Sequence, residues 1–160
     1  MHKKAEELMF ADLLRFGEDG KINLFNETAF LFPSEFVLKI EEKLEPDDIY
    51  ELAKKMPESI IKILTERKMG EIEQLDFLLE LAEVFGMGSI SVPEFNQEKL
   101  VHEVIINNAN ANKVQCNHTR GYLAAIFSNS LKKTFECKEL QCISNGSENC
   151  RFVLDLKINP

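Results

Sequence analysis

Two cysteines, Cys142 and Cys150, stand symmetrically about Gly146 near the end of this chain. No other feature constrains the fold as much. Glycine tolerates the backbone conformations of tight turns, so a hairpin turning at Gly146 sets the two thiols opposite each other. Directly opposed residues on paired strands hold their Cβ atoms about 4.5–5.5 Å apart. One metal ion with thiolate bonds of ~2.3 Å closes that distance. A disulfide, which wants Cβ atoms roughly 3.5–4.5 Å apart, approaches it as well. Glu139 lies three positions before Cys142, and a third cysteine, Cys116, precedes a helix-like segment upstream.

Cys116, Glu139, Cys142 and Cys150 together read as a metal site that pins a helix to a hairpin, since Zn²⁺ accepts thiolate and carboxylate ligands in a tetrahedron. Spacing alone leaves a second reading open: three buried cysteines and a solvated glutamate. The metal reading carries a geometric requirement. Residues three apart in a regular strand face opposite sides, so Glu139 and Cys142 meet one ion only if the strand is irregular between them. Phe135 and Cys137 share one parity and Leu140 and Cys142 the other, which a bulge near Lys138-Glu139 would reconcile. Cys137 is then left over as a small buried core residue. Four protein ligands make the site closed and structural; a labile Glu139 would open one position.

The 160 residues suit one domain, 1–160, with a real core. A formal net charge of −8 argues against nucleic-acid binding, which needs clustered Lys and Arg. The dense basic spots, His2-Lys3-Lys4 and Lys132-Lys133, are short. Glu6 and Glu7 interrupt what would be the apolar part of a secretion signal. No apolar run approaches the ~18 residues of a membrane helix. A cytoplasmic protein with reduced thiols is expected, and there metal binding outranks a disulfide framework.

Residues 5–16 carry Leu8, Phe10, Leu13, Leu14 and Phe16 at near-helical spacing and read as a short amphipathic helix. Ile22 to Phe32 reads as a hairpin turning at Asn26-Glu27, and Ser34 as the N-cap of a helix through Phe36, Ile40 and Leu44. Pro46 opens the next helix, with Ile49, Leu52, Ala53, Met56, Ile60, Ile63 and Leu64 on one face and Pro57 splitting it. A third helix after Gly70 carries Ile72, Leu75, Leu78, Leu79, Ala82 and Phe85. Ser89 to Phe95 reads as an edge strand because of Pro93, with Lys99 to Asn107 its partner. His118 to Leu131 is the inserted helix; Thr134 to Ile143 and Asn149 to Ile158 form the last hairpin. The strict alternation of Cys150, Phe152, Leu154, Leu156 and Ile158 puts Cys150 on the buried face. The class is α+β: N-terminal helices and a hairpin, then a mostly antiparallel twisted sheet with one inserted helix.

Glu139-x-x-Cys142, Gly146 and Cys150-x-Phe152, joined by Cys116 and Gly121-Tyr122, resemble the 4-vinyl reductase domain family, a small-molecule-binding domain of the hydrocarbon-sensor type. The likeness is looser over the rest of the chain. The resemblance implies that zinc is bound through Cys116, Glu139, Cys142 and Cys150, structurally, next to an apolar pocket. It implies a homodimer, and a fold similar to TRAPP vesicle-tethering subunits and haem nitric-oxide sensor domains. Related regulators continue into an ATPase and a DNA-binding domain. This sequence ends at Pro160, so DNA binding by that route is not expected.

Phe is plentiful at 12 residues while Trp is absent, which core filling explains and a Phe-lined pocket would also use. His102 shares strand parity with Leu100, Val104 and Ile106; it is a core histidine or the polar group of a pocket. Tyr122, Phe127, Phe135 and Phe152 are the remaining pocket candidates, and plain core packing is the alternative for each. His118, two residues after Cys116, is a competing metal ligand. No Gly-rich nucleotide loop and no Ser/His/Asp set is recognisable, so an enzyme is not expected. The expected function is a zinc-containing domain that binds a small hydrophobic or aromatic molecule as sensor or carrier, relayed to a protein partner. A dimeric scaffold of the same fold and a reductase accessory enzyme are the alternatives.

Overall fold

The computed structural model describes residues 14–16, 21–24, 27–29, 39, 40, 42–109 and 116–157. Its first elements are three short strands: β1 (Leu14–Phe16), β2 (Ile22–Leu24) and β3 (Glu27–Ala29), antiparallel in that order. This corrects the helix expected over 5–16 at its C-terminal end, since Phe16 pairs with Ile22 and Leu14 with Leu24. The Gly-Glu-Asp-Gly turn chemistry at 17–20 brings a partner strand alongside, and pairing outweighs helical spacing in so short a run. Residues 5–13 lie outside the described part. Leu24 pairs with Glu27, so Glu27 begins β3 rather than ending the expected turn. The helix expected from Ser34 is described only at Lys39 and Ile40, which are helical; Leu44 lies in a bend and is exposed.

Helix α1 (Pro46–Lys55) has Pro at its start, Asp47 and Asp48 in the first turn and Lys54 and Lys55 in the last, each favourable to the helix dipole. Pro57 separates it from α2 (Glu58–Glu66), as expected, and Gly70 precedes α3 (Glu71–Val84). The expected apolar face does not hold throughout. Ile49, Ala53, Ile61 and Leu64 are buried, while Leu52 and Met56 are more than half exposed and Phe85 is half exposed. A face drawn through 49, 52, 53 and 56 ignores that the break at Pro57 resets the helical phase. Only the narrow Ile49–Ala53 stripe is buried on α1.

A second sheet holds β4 (Ser89–Ser91), β5 (Val101–Asn107), β6 (Phe135–Gln141) and β7 (Cys150–Leu156). All pairs are antiparallel, in the order β4-β5-β7-β6. β4 is an edge strand, as Pro93 suggested, but it stops at Ser91. Helix α4 (Asn117–Leu131) is inserted between β5 and β6. His102, Val104 and Ile106 on β5, Cys150, Phe152 and Leu154 on β7, and Phe135 and Cys137 on β6 form one buried face. The opposite face carries Glu103, Lys138, Arg151 and Asp155 and is partly open to water, the usual division in an antiparallel sheet.

Helix α4 is the hub of the core. Gly121 lets α1 approach closely: a Cβ there would lie 2.2 Å from the Tyr50 carbonyl oxygen and 2.8 Å from Ala53 Cβ. On the α3 side, the Tyr122 hydroxyl donates to the Leu78 carbonyl at 2.9 Å. Towards β6, Arg120 Nε donates to the Cys137 carbonyl at 3.1 Å and the Phe135 N–H donates to Ser128 Oγ at 2.9 Å.

Candidate functional site

The β6–β7 ladder slips by one residue at Leu140: Glu139 pairs with Phe152, yet Gln141 pairs with Arg151. Leu140 is the bulged residue and points to solvent at 60% exposure. The irregularity anticipated near Lys138-Glu139 therefore exists, centred one residue later. Its effect is the required one. Glu139 faces the helix side with Phe152, and Cys142, beyond the bulge, returns to that side with Cys150. A short 3₁₀ turn, Ile143–Asn145, and Gly146 at a φ of 86° complete the connection.

Three sulfurs meet there. Cys116 Sγ lies 3.4 Å from Cys142 Sγ and 3.9 Å from Cys150 Sγ, and the last two are 3.3 Å apart. A disulfide would need about 2.05 Å; the thiols are free and buried. Tetrahedral thiolate bonds of ~2.3 Å place sulfurs ~3.8 Å apart, so the cluster needs to adjust by about half an ångström at most to hold a thiophilic ion. Among the described residues this is the group whose donor atoms converge as metal ligands do. Cys116 occupies the N-cap position of α4, and its backbone N–H donates to Glu139 Oε2 at 2.8 Å. The carboxylate thus sits beside the cluster at a helix N-terminus, where negative charge is favoured, but its oxygens are outside the sulfur triangle. His118 is half-buried on α4 and also outside it. Cys137 is buried in the core away from the other three, and burial pushes its thiol up to about 12.

The three thiols are electrostatically unequal. Burial, then the neighbouring thiols, raise Cys116. Burial first pushes Cys150 up to about 11. At Cys142 burial also acts upward, but hydrogen bonds from Ser144 and the adjoining thiols outweigh it and hold the thiol below its ordinary value. Ser144 Oγ donates to Cys142 Sγ at 3.1 Å and the Ile143 N–H to Cys150 Sγ at 3.4 Å. Sequence reasoning missed Ser144; a hydroxyl two residues beyond Cys142 in a turn was the available signal.

A second cluster lies around His102, which is 2% exposed and has no hydrogen-bond partner on either ring nitrogen. Its ring is 5.3 Å from Phe127, 5.4 Å from Phe135 and 5.5 Å from Phe95. Burial, with the charges of Lys99 and Lys133 adding to it, holds its pKa below the ordinary histidine value. A cleft of about 300 Å³ lined by Pro93, Glu94, Lys99, Val101, His102 and Glu103 reaches this point from the surface. Of the five residues expected to line a pocket, His102, Phe127 and Phe135 come together. Tyr122 is tied to α3 by its hydroxyl, and Phe152 packs across from Val104. Phe95 was missed because the sequence placed it in a strand, whereas it lies in the connection after β4.

Residues 102–156 match the family model of the 4-vinyl reductase domain. The resemblance read from the terminal hairpin is thus found by a family model, and the match spans His102 and all four of Cys116, Glu139, Cys142 and Cys150. No curated protein matches the chain. The fold is that of the phenol-responsive sensory domain of the transcription activator PoxR, solved with phenol (TM-score 0.76, 17% identity, 98% of this chain and 91% of that one). A vinyl-4-reductase family protein from Methanocaldococcus jannaschii shares it at a TM-score of 0.58 and 16% identity, over 81% of this chain and 85% of that one. A trafficking protein particle complex subunit 3 from Naegleria fowleri, covalently bound to palmitic acid, does so at 0.56 and 10% identity, over 78% and 90%. Among the described residues no helix is long and apolar enough to cross a membrane.

Proposed function

We propose that this chain is a small-molecule-binding sensory domain whose ligand is a small aromatic molecule, and that zinc staples α4 to the β6–β7 hairpin. The observation that carries the ligand reading is His102. A buried imidazole with two unpartnered nitrogens is costly, and three phenyl rings cannot satisfy it. A ligand presenting one hydroxyl on an aromatic ring would. Bury the ring among the phenylalanines and its hydroxyl can reach the imidazole. The family-model match and the fold shared with a phenol-responsive domain support the same class.

Cys116, Cys142 and Cys150 would hold the zinc, with Glu139 the fourth ligand through one oxygen while the other keeps the Cys116 N–H. Bound there, zinc supplies a cross-link and no chemistry on the ligand. Signal would pass to a partner protein through a homodimer, as the family resemblance implies.

Calorimetry with phenol and with toluene tests the ligand half. Phenol should bind the wild type in preference to toluene, and His102→Phe should abolish that preference. Equal binding of the two by the wild type sinks the hydroxyl contact; binding of neither sinks the reading. Metal analysis of protein purified without chelator should give about one zinc per chain, lost in Cys142→Ala.

A further inference from the structure

The connection from Val92 to Leu100 is exposed throughout except at Val92 and Phe95. Few bonds hold it. The Lys99 and Glu98 N–H groups close a turn on Asn96, each at 2.9 Å. Lys99 Nζ pairs with Glu94 at 3.1 Å, and Lys133 Nζ, from the end of α4, donates to the Gln97 carbonyl at 3.2 Å. These ties are solvent-exposed and weak. Glu94 itself adopts a φ of 50°, a left-handed conformation uncommon for a side chain of this kind. The segment belongs to the low-stability end of the fold, from which moving parts are drawn.

What this weakly held segment inserts is one phenyl ring. Phe95 stacks on His102 at an interplanar angle of 27° and meets Phe127 edge-on, centroids 6.5 Å apart at 71°. That is the placement of an aromatic guest, flat against the imidazole and in the T-shaped relation that aromatic pairs favour. The 300 Å³ cleft opens beside it, with Pro93 and Glu94 from the same segment among its walls. As a permanent wall, Phe95 would leave both His102 nitrogens orphaned at all times. As a removable one it keeps water out until a ring bearing a hydroxyl takes its place.

We infer that Phe95 is a built-in plug that an aromatic ligand displaces on entering through the cleft, the Val92–Leu100 connection moving with it. This rests on the ligand reading above and adds how the site is gated. The apparent affinity is then the intrinsic affinity reduced by the fraction of time the plug is out. Removing the ring should strengthen binding, whereas removing a true wall would weaken it.

Phenol titrations of wild type, Phe95→Ala and Lys133→Ala, with stopped-flow association rates, decide the sign. Phe95→Ala is expected to bind phenol more tightly, about tenfold if the plug is out about a tenth of the time. Lys133→Ala, which frees the strap at Gln97 and leaves the cage intact, is expected to speed association. Binding by Phe95→Ala alone, with none by wild type, supports the plug most strongly. Weaker or unchanged binding by Phe95→Ala, or unchanged association by Lys133→Ala should the first variant not fold, overturns the plug and leaves the ligand reading standing. Binding by neither wild type nor Phe95→Ala overturns both.

Discussion

Gly121 has little freedom to vary. With the Tyr50 carbonyl oxygen 2.2 Å from any added Cβ, backbone must shift to admit even a methyl group. Gly121→Ala should cost about 2–3 kcal/mol, read as a lower urea midpoint. Ser130 makes the opposite case. It is fully buried and its hydroxyl has no partner, so Ser130→Ala should raise stability by about 1 kcal/mol in the same assay. His102 gives a pH signature. Its folded pKa lies below the unfolded value of roughly 6.5. Below that pH the unfolded chain takes up a proton that the native imidazole resists. Its contribution is therefore whole above about pH 6.5 and is lost as pH falls toward the native pKa. His102→Phe should flatten the slope of melting temperature between about pH 5 and 7. Both readings of His102 began from its strand parity. Its missing hydrogen bonds could not be read that way, because they depend on which side chains the other elements bring.

At the scale of elements, the bulge at Leu140 decides whether the candidate metal site can exist. Deleting Leu140 would restore a regular ladder and send Glu139 and Cys142 to opposite faces. The expected result is a protein that still contains all four ligand residues yet retains no zinc on metal analysis. That hairpin was legible in the sequence because alternation, a glycine turn and cysteine parity are local signals, and a parity conflict announces a bulge. α1 was legible in extent, through Pro46 and Pro57, but not in facing. Whether Leu52 or Ala53 turns inward depends on how near Gly121 lets α4 come. β1 was misread because three residues carry too little periodicity to tell a strand from a helix end.

Across the whole molecule, the three thiols join positions far apart in the chain, Cys116 being separated from Cys142 by 26 residues and from Cys150 by 34. If zinc occupies them, a strong chelator should lower the melting temperature by on the order of 10 °C, the shift that losing about 3–5 kcal/mol produces at this length. By itself the sequence determined the α+β order, the antiparallel terminal hairpin and the convergence of Cys142 with Cys150. Those follow from alternation and turn chemistry within short stretches. Only the tertiary structure decided that Cys116 joins them while Glu139 holds its N–H, and that His102 is enclosed by Phe95, Phe127 and Phe135. Those three rings come from a loop, a helix and a strand. Their meeting depends on the packing of α4 against the sheet, and no local pattern encodes it.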